Sequence, residues 1–107
     1  MRVRFDNKIL ILGYGAVGGC FLPLLARHLR FSWKNVTVID FVDRRKVLRG
    51  FLAKGAVFCQ ERITPHNMTR ALAKHVDAGG LIVDLAWSVG SLDILQWAHN
   101  NHVLYVN

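Results

Sequence analysis

Short, densely apolar runs alternate along this chain with stretches in which apolar residues recur every three or four positions. A basic lead-in from Met1 to Asn7 shows little pattern. Lys8 to Leu12 is the first predicted strand, and its four consecutive bulky residues, Ile9 to Leu12, suit a parallel strand buried on both faces. A helix is expected from about Ala16 to Leu29, with Val17, Phe21, Leu24, Leu25 and Leu29 on one face. Pro23 lies inside it; its ring would collide with the carbonyl of residue 19, so a bend is expected near Gly19. Ser32 to Asn35 reads as a polar turn. Val36 to Ile39 is largely β-branched and ends at Asp40, which makes a second strand. Asp43 is placed to cap a short helix running to about Lys54 and stopped by Gly55.

Ala56 to Cys59 is a short third strand. Thr64-Pro65 marks a helix start, with the hydroxyl residue as cap and proline at the first helical position. That helix carries Met68, Leu72, His75 and Val76 to a stop at Gly79-Gly80. Leu81 to Leu85 is a fourth strand and Ala86 to Gly90 a loop. Ser91 caps a helix bearing Leu92, Leu95, Trp97 and Ala98, which ends before Asn100-Asn101. Val103 to Val106 is a fifth strand.

Strands and helices thus alternate with short links, without repeats or low-complexity stretches. Such a series predicts an α/β fold: a Rossmann-like, doubly wound parallel sheet of about five strands in the order 3-2-1-4-5, with helices on both faces. Residues 1–107 form one domain. The fifth strand falls at an edge, yet it is apolar enough to expect cover, and exposed edges of that kind are usually managed. The chain therefore reads as the front portion of a longer protein.

Composition narrows the class. At 52% apolar and 20% charged residues the chain is globular, not disordered. Cys20 and Cys59 are too few for a disulfide scaffold and match no metal or redox spacing, so each reads as a small buried apolar residue in a cytoplasmic protein. The uncharged run from Ile9 to Ala26 is long enough for a membrane span, but its four glycines and proline argue against one. The net charge of +7 attracts polyanions without naming one. Aromatic-basic interleaving of the kind single-strand binders use is missing, so nucleic acid is not the expected partner.

The chemistry begins at Gly13-Tyr14-Gly15-Ala16-Val17-Gly18, a G-x-G-x-x-G pattern between a strand and a helix. Gly13 allows the turn out of the strand, Gly15 lets a pyrophosphate approach the backbone, and Gly18 lets the helix sit against the strand. The helix N-terminus would face the phosphates. An acid, Asp40, follows at the end of the next strand, 22 residues after Gly18, which is the context the pattern needs to mean dinucleotide binding.

In an open parallel sheet the ligand lies outside the carboxyl ends of the strands, at the switch point between strands 1 and 4. Gly13 to Gly18, Asp40 to Arg44, Cys59 to Arg62, Leu85 to Gly90 and Asn107 reach that edge. A carboxylate at Asp40 accepts hydrogen bonds from both adenosine ribose hydroxyls and repels a 2′-phosphate, favouring NAD. Otherwise Asp40 is a strand-ending residue that caps the next turn. Asp43 is a second candidate for the ribose, while Arg44 and Arg45 speak for a 2′-phosphate. The balance leans to NAD. Trp87 is placed to stack beside the cofactor, or to cover the sheet edge, and Ser88 to donate a hydrogen bond. Asp84 interrupts an apolar run and needs a partner, a backbone N–H or a serine being expected. The five histidines form no paired motif, and neither a nucleophile-base-acid set nor a metal cluster is legible. The chain contains a cofactor cradle without evident catalytic apparatus.

These residues carry a family likeness. Gly13 to Gly18 continuing into Leu22-Pro23-Leu24-Leu25-Ala26-Arg27-His28 resembles the amino-terminal segment of bacterial-type homospermidine synthases. So do Asp84-Leu85-Ala86-Trp87-Ser88-Val89-Gly90-Ser91-Leu92-Asp93 and His102 to Val106. These enzymes share their fold with saccharopine dehydrogenases. The resemblance implies an NAD-dependent polyamine-forming transferase: tightly held NAD takes hydride from putrescine, the imine loses ammonia and adds a second putrescine, and the same cofactor returns the hydride to give homospermidine. It carries Gly13, Gly15, Gly18 and Asp40 over as NAD contacts, and the loop from Trp87 to Ser91 as a further one. Family members are several times longer, and their diamine-binding groups lie in a later domain. The expectation is a full-length homodimer, with this portion inactive alone. A saccharopine or carboxynorspermidine dehydrogenase relative using exchangeable NADPH is the near alternative. A free-standing nucleotide-sensing module with a basic surface is the other.

Overall fold

The computed structural model describes residues 3–15, 21–85 and 91–106. Its elements in chain order are β1 (Val3–Arg4), β2 (Ile9–Leu12), α1 (Phe21–His28), β3 (Leu29–Arg30), a 3-10 turn (Trp33–Asn35), β4 (Val36–Asp40), α2 (Arg45–Ala53), β5 (Val57–Gln60), α3 (Met68–His75), β6 (Leu81–Asp84), α4 (Ser91–Asn100) and β7 (Leu104–Val106). Five strands pair in the order β5-β4-β2-β6-β7, and every pairing is parallel. This is the expected 3-2-1-4-5 order.

The sheet divides the core. Leu10 and Leu12 of β2, Ile39 of β4 and Ile82 of β6 lie on one face with Ala71, Leu72, Ile94 and Ala98 of α3 and α4. Their neighbours Ile9, Ile11, Val36, Val38 and Val83 lie on the other with Leu22, Leu25 and Leu48 of α1 and α2. Side chains alternate across a strand, so a run apolar at every position feeds two cores at once. β2, with all four residues essentially inaccessible, is the central member of both. Each fully buried Leu or Ile contributes about 1.5–3 kcal/mol.

Several local expectations are corrected. The lead-in is structured: β1 pairs in parallel with β3, and the Phe5 amide donates to the Arg30 carbonyl at 2.8 Å. Both β1 residues are exposed, so no hydrophobic pattern announced the strand. Leu29, expected to end the first helix, belongs to β3. Within α1, Leu22 and Leu25 are buried while Leu24 is 49% exposed. Phe21, Leu22, Leu24 and Leu25 are all apolar, and periodicity alone could not choose among the possible faces. The expected bend near Gly19 lies outside the described residues.

In α4 the inward residues are Ile94 and Ala98, with Trp97 packed against them, whereas Leu92 and Leu95 are exposed. The third strand is Val57–Gln60, one residue later than expected. α3 begins at Met68 with Asn67 as its cap residue, so Pro65 is not its first helical position and Thr64 instead closes the turn before it. The Asn67 amide donates to Thr64 Oγ1 at 3.3 Å, and the Thr64 amide donates to Asn67 Oδ1 at 2.7 Å. α2 starts at Arg45 with Arg44 as its cap residue. Asp43 nonetheless serves that end, since its Oδ1 accepts the Arg45 amide at 3.0 Å. Gly55, at φ +117°, closes the helix as expected. Cys59 is half-buried against the α3/α4 core, not fully buried; Cys20 lies outside the described residues. β7 exposes Leu104 and Val106, so the apolar edge is real. No helix among the described residues is long and apolar enough to cross a membrane.

Candidate dinucleotide site

The parallel order brings the carboxyl ends of all five strands to one edge of the sheet. At its centre, β2 leads into Gly13, whose φ of +84° an L-residue rarely adopts. The Gly13 amide donates to the Ile39 carbonyl at 2.7 Å, which binds the turn to β4. Tyr14 is buried and its amide donates to Asp40 Oδ2 at 2.8 Å. Gly15 comes next and faces outward. A Cβ built on Gly15 meets nothing within 4 Å, and its φ is not positive. Among the described residues, neither packing nor backbone conformation requires glycine there.

Asp40 does more than end a strand. Its Oδ2 accepts from the Tyr14 amide and from Arg44 Nε at 3.0 Å, while Oδ1 accepts from the Val42 amide at 3.0 Å. The side chain is only 4% exposed. Burial opposes ionisation, but the amides of Val42 and Tyr14 and the Arg44 guanidinium outweigh it, so the carboxyl is held below its ordinary value. The two acceptor positions of Oδ2 are filled, and one remains on Oδ1. Asp40 is thus both the anchor of the glycine turn and a partly satisfied acceptor beside it. Asp43 is exposed and pairs with Arg45 at 2.9 Å, the hydrogen bonds from Arg45 drawing its carboxyl down to about 2. Both arginines that spoke for a 2′-phosphate therefore meet a carboxylate of their own.

On the flank beyond β4, the Glu61 amide donates to the Asp40 carbonyl at 3.0 Å. The Arg62 guanidinium lies 4.7 Å from the centre of the Phe41 ring. On the other flank, Asp84 stands in register with Leu12 at the switch point. It is buried, and one of its partners is the Tyr105 hydroxyl, which donates to Oδ2 at 2.6 Å. A tyrosine from the edge strand was not anticipated, because the two residues are separated by a whole helix. Phe41 and Arg62 were also unassigned in the sequence. The only signal was an aromatic residue placed directly after the strand-ending acid. Of the expected contacts, Gly13, Tyr14, Gly15 and Asp40 are brought together; Ala16, Val17, Gly18, Trp87 and Ser88 lie outside the described residues. His28, His66, His99 and His102 are exposed, and His75 is half-buried.

The fold has counterparts among known proteins. The model of the family described as saccharopine dehydrogenase NADP binding domain matches residues 9–107. The homospermidine synthase of Blastochloris viridis is 35% identical over 107 residues, covering 97% of this chain and 22% of that protein. That of Mesorhizobium japonicum is 32% identical over 108 residues, with the same coverage. The crystal structure of homospermidine synthase from Legionella pneumophila in complex with NAD superimposes with a TM-score of 0.87 at 24% identity, over 97% of this chain and 22% of that one. This likeness establishes a common fold. The chain spans 22% of the length of the curated relatives it matches.

Proposed function

This chain belongs to the saccharopine dehydrogenase NADP-binding-domain family, and from that premise we propose that it is the NAD-binding part of a homospermidine synthase-like enzyme. The observation that carries the reading is Gly15, an exposed glycine beside an anchored turn, which among the described residues neither its φ nor any packing explains. Close approach of a pyrophosphate does explain it. Gly13, Tyr14, Gly15 and Asp40 would hold the dinucleotide, with Ala16, Val17, Gly18, Trp87 and Ser88 as the remaining proposed contacts.

NAD is favoured over NADP by charge. A 2′-phosphate would meet the Asp40 carboxylate, and recruiting Arg44 or Arg45 to it would break an ion pair of 3.0 or 2.9 Å. When bound, the nicotinamide would supply reversible hydride acceptance. The residues of this chain bind and orient the cofactor: Asp40 holds the turn and offers its remaining lone pair to a ribose hydroxyl. The diamine-binding and proton-handling groups would belong to the rest of a protein of the relatives' length. Putrescine as substrate, homodimerisation and a cytoplasmic setting are part of the same proposal, which takes its direction from a 35% identical relative named homospermidine synthase.

Two measurements test it. Calorimetric titration of the 107-residue chain should give saturable binding of NAD, with NADP weaker. Incubation of a protein of the relatives' length, beginning with this domain, with putrescine and NAD should yield homospermidine by mass spectrometry. NADP bound more tightly than NAD, with product formed only from an added amino acid and NADPH, would favour the saccharopine dehydrogenase relatives instead.

A further inference from the structure

The net charge of +7 is not spread evenly over the molecule. Residues 21–55, which build α1, the 3-10 turn and α2, hold eight Lys and Arg against two Asp, a net +6. Residues 56–107 hold three against four acids, a net −1. α1 and α2 pack on one face of the sheet and α3 and α4 on the other, so the excess lies on one side. The two Asp of the basic segment are occupied, Asp40 by Arg44 and Asp43 by Arg45. Arg27, Arg30, Lys34, Lys46, Arg49 and Lys54 are exposed, and none of them is in an ion pair among the described residues. Like charges gathered in this way repel one another, and a counter-charge relieves them.

The same side holds a hollow of about 170 Å³, lined by Ala26, Leu29, Arg30, Phe31 and Trp33. All but Arg30 are apolar. A cavity of about 150 Å³ takes a benzene ring, so there is room for one side chain of leucine or phenylalanine size. Cations stand around it. Arg30 is part of the lining, Lys54 Nζ lies 5.5 Å from the centre of the Trp33 ring, and Lys34 packs against Gly55. The hollow sits where α1 runs into β3 and where the 3-10 turn enters β4, at the amino-terminal edge of the sheet. The glycine turn and Asp40 lie at the opposite edge, so a dinucleotide there does not account for it.

We propose that this face docks an acidic segment of another protein, one apolar side chain of the segment seated in the hollow and its carboxylates paired with the surrounding cations. Charge complementarity steers such a partner and fixes its orientation. A second copy of this chain is a poor match. Its Asp6, Asp40 and Asp43 are ion-paired and its Asp84 is buried, while Glu61, Asp77 and Asp93 are far apart in the sequence. A nucleic acid strand fits no better, because base stacking needs an open ring face. Trp33 is already engaged by Phe31 at 4.8 Å, by Phe51 at 5.1 Å and by Lys54.

The test is fluorescence anisotropy of the 107-residue chain with short labelled peptides of Asp and Glu around a central leucine, and with the same peptide carrying glycine there. The leucine peptide should bind, less tightly as salt is added. The glycine peptide should bind at least about tenfold more weakly, the loss of one buried leucine side chain. Arg30→Glu and Lys54→Glu should each weaken the leucine peptide by about 2- to 10-fold, as an exposed pair gives way to a like-charge contact, with unchanged thermal midpoints. Arg70→Glu, on the exposed side of α3, should leave binding as it was. No binding of the leucine peptide overturns the proposal. So does equal binding of both peptides, or an oligothymidylate that binds as tightly and loses as much in Arg30→Glu, since the face is then a general polyanion surface. If a protein of the relatives' length, beginning with this domain, does not take the leucine peptide, its own chain covers the face and the separate partner is overturned.

Discussion

The Asp40 carboxylate accepts the backbone amide of Tyr14 at 2.8 Å, tying the end of β4 to the turn that leaves β2. One side chain therefore couples the shape of the glycine turn to the charge presented beside it. The acid at this position is structural before any ligand arrives.

That coupling predicts two losses from one substitution. Asp40→Ala leaves the Tyr14 and Val42 amides without their acceptor, at a cost of about 1–3 kcal/mol in stability. NAD binding should weaken by a similar amount, about 1–3 kcal/mol, and NADP by less. Asp40→Asn keeps an acceptor and should recover part of the stability. Urea unfolding and calorimetry separate the two effects. Equal losses for both cofactors would remove the ribose role and leave the anchoring one.

Gly15 and Gly80 should respond in opposite ways. Gly15→Val puts its side chain into open space, so the urea midpoint should be nearly unchanged while NAD affinity falls at least about tenfold, as expected where backbone must approach pyrophosphate. A Cβ on Gly80 would run into Val76 Cγ2 and stand 2.9 Å from the Lys8 carbonyl oxygen. Gly80→Ala should therefore destabilise by about 1–3 kcal/mol, as overpacking does. A Gly15 variant that unfolds easily would mean the glycine serves packing.

His75 gives the fold a pH dependence near neutrality. Burial, with help from Lys74 and Lys8 and against Glu61, lowers its pKa from 6.5. The unfolded chain then takes up this proton at a higher pH than the folded one. The stabilisation is complete above pH 6.5 and is lost as pH falls toward the folded-state value. Thermal midpoints between pH 8 and 5 should fall on acidification, and His75→Gln should flatten that part of the curve. Asp40 acts in the same direction further down, its contribution being full above 3.8 and lost as pH falls through its lowered value.

Tyr105→Phe removes one donor from the buried Asp84 carboxylate. The cost should be about 0.5–1.5 kcal/mol, the usual net contribution of a hydrogen bond. Because β7 is an edge strand, faster amide exchange there would accompany it. Unchanged stability and exchange would show that other partners suffice for Asp84.

The alternation of apolar runs with helical spacing determined the element series, and with it the parallel sheet and its strand order. Gly13 and Gly55 were equally legible, because each acts through backbone constraints within a few residues. Tertiary structure decided what depends on residues far apart in the chain. It chose Leu22 over Leu24 and Ile94 over Leu92 on helices whose apolar residues do not share one face, where local periodicity offers more than one choice. It paired β1 with β3, two dipeptides with no pattern of their own. It turned Asp40 onto an amide 26 residues away and brought the Tyr105 hydroxyl to Asp84 across 21. Periodicity tells a residue which side of its own element is apolar; only packed neighbours determine which side is buried and which polar atoms meet.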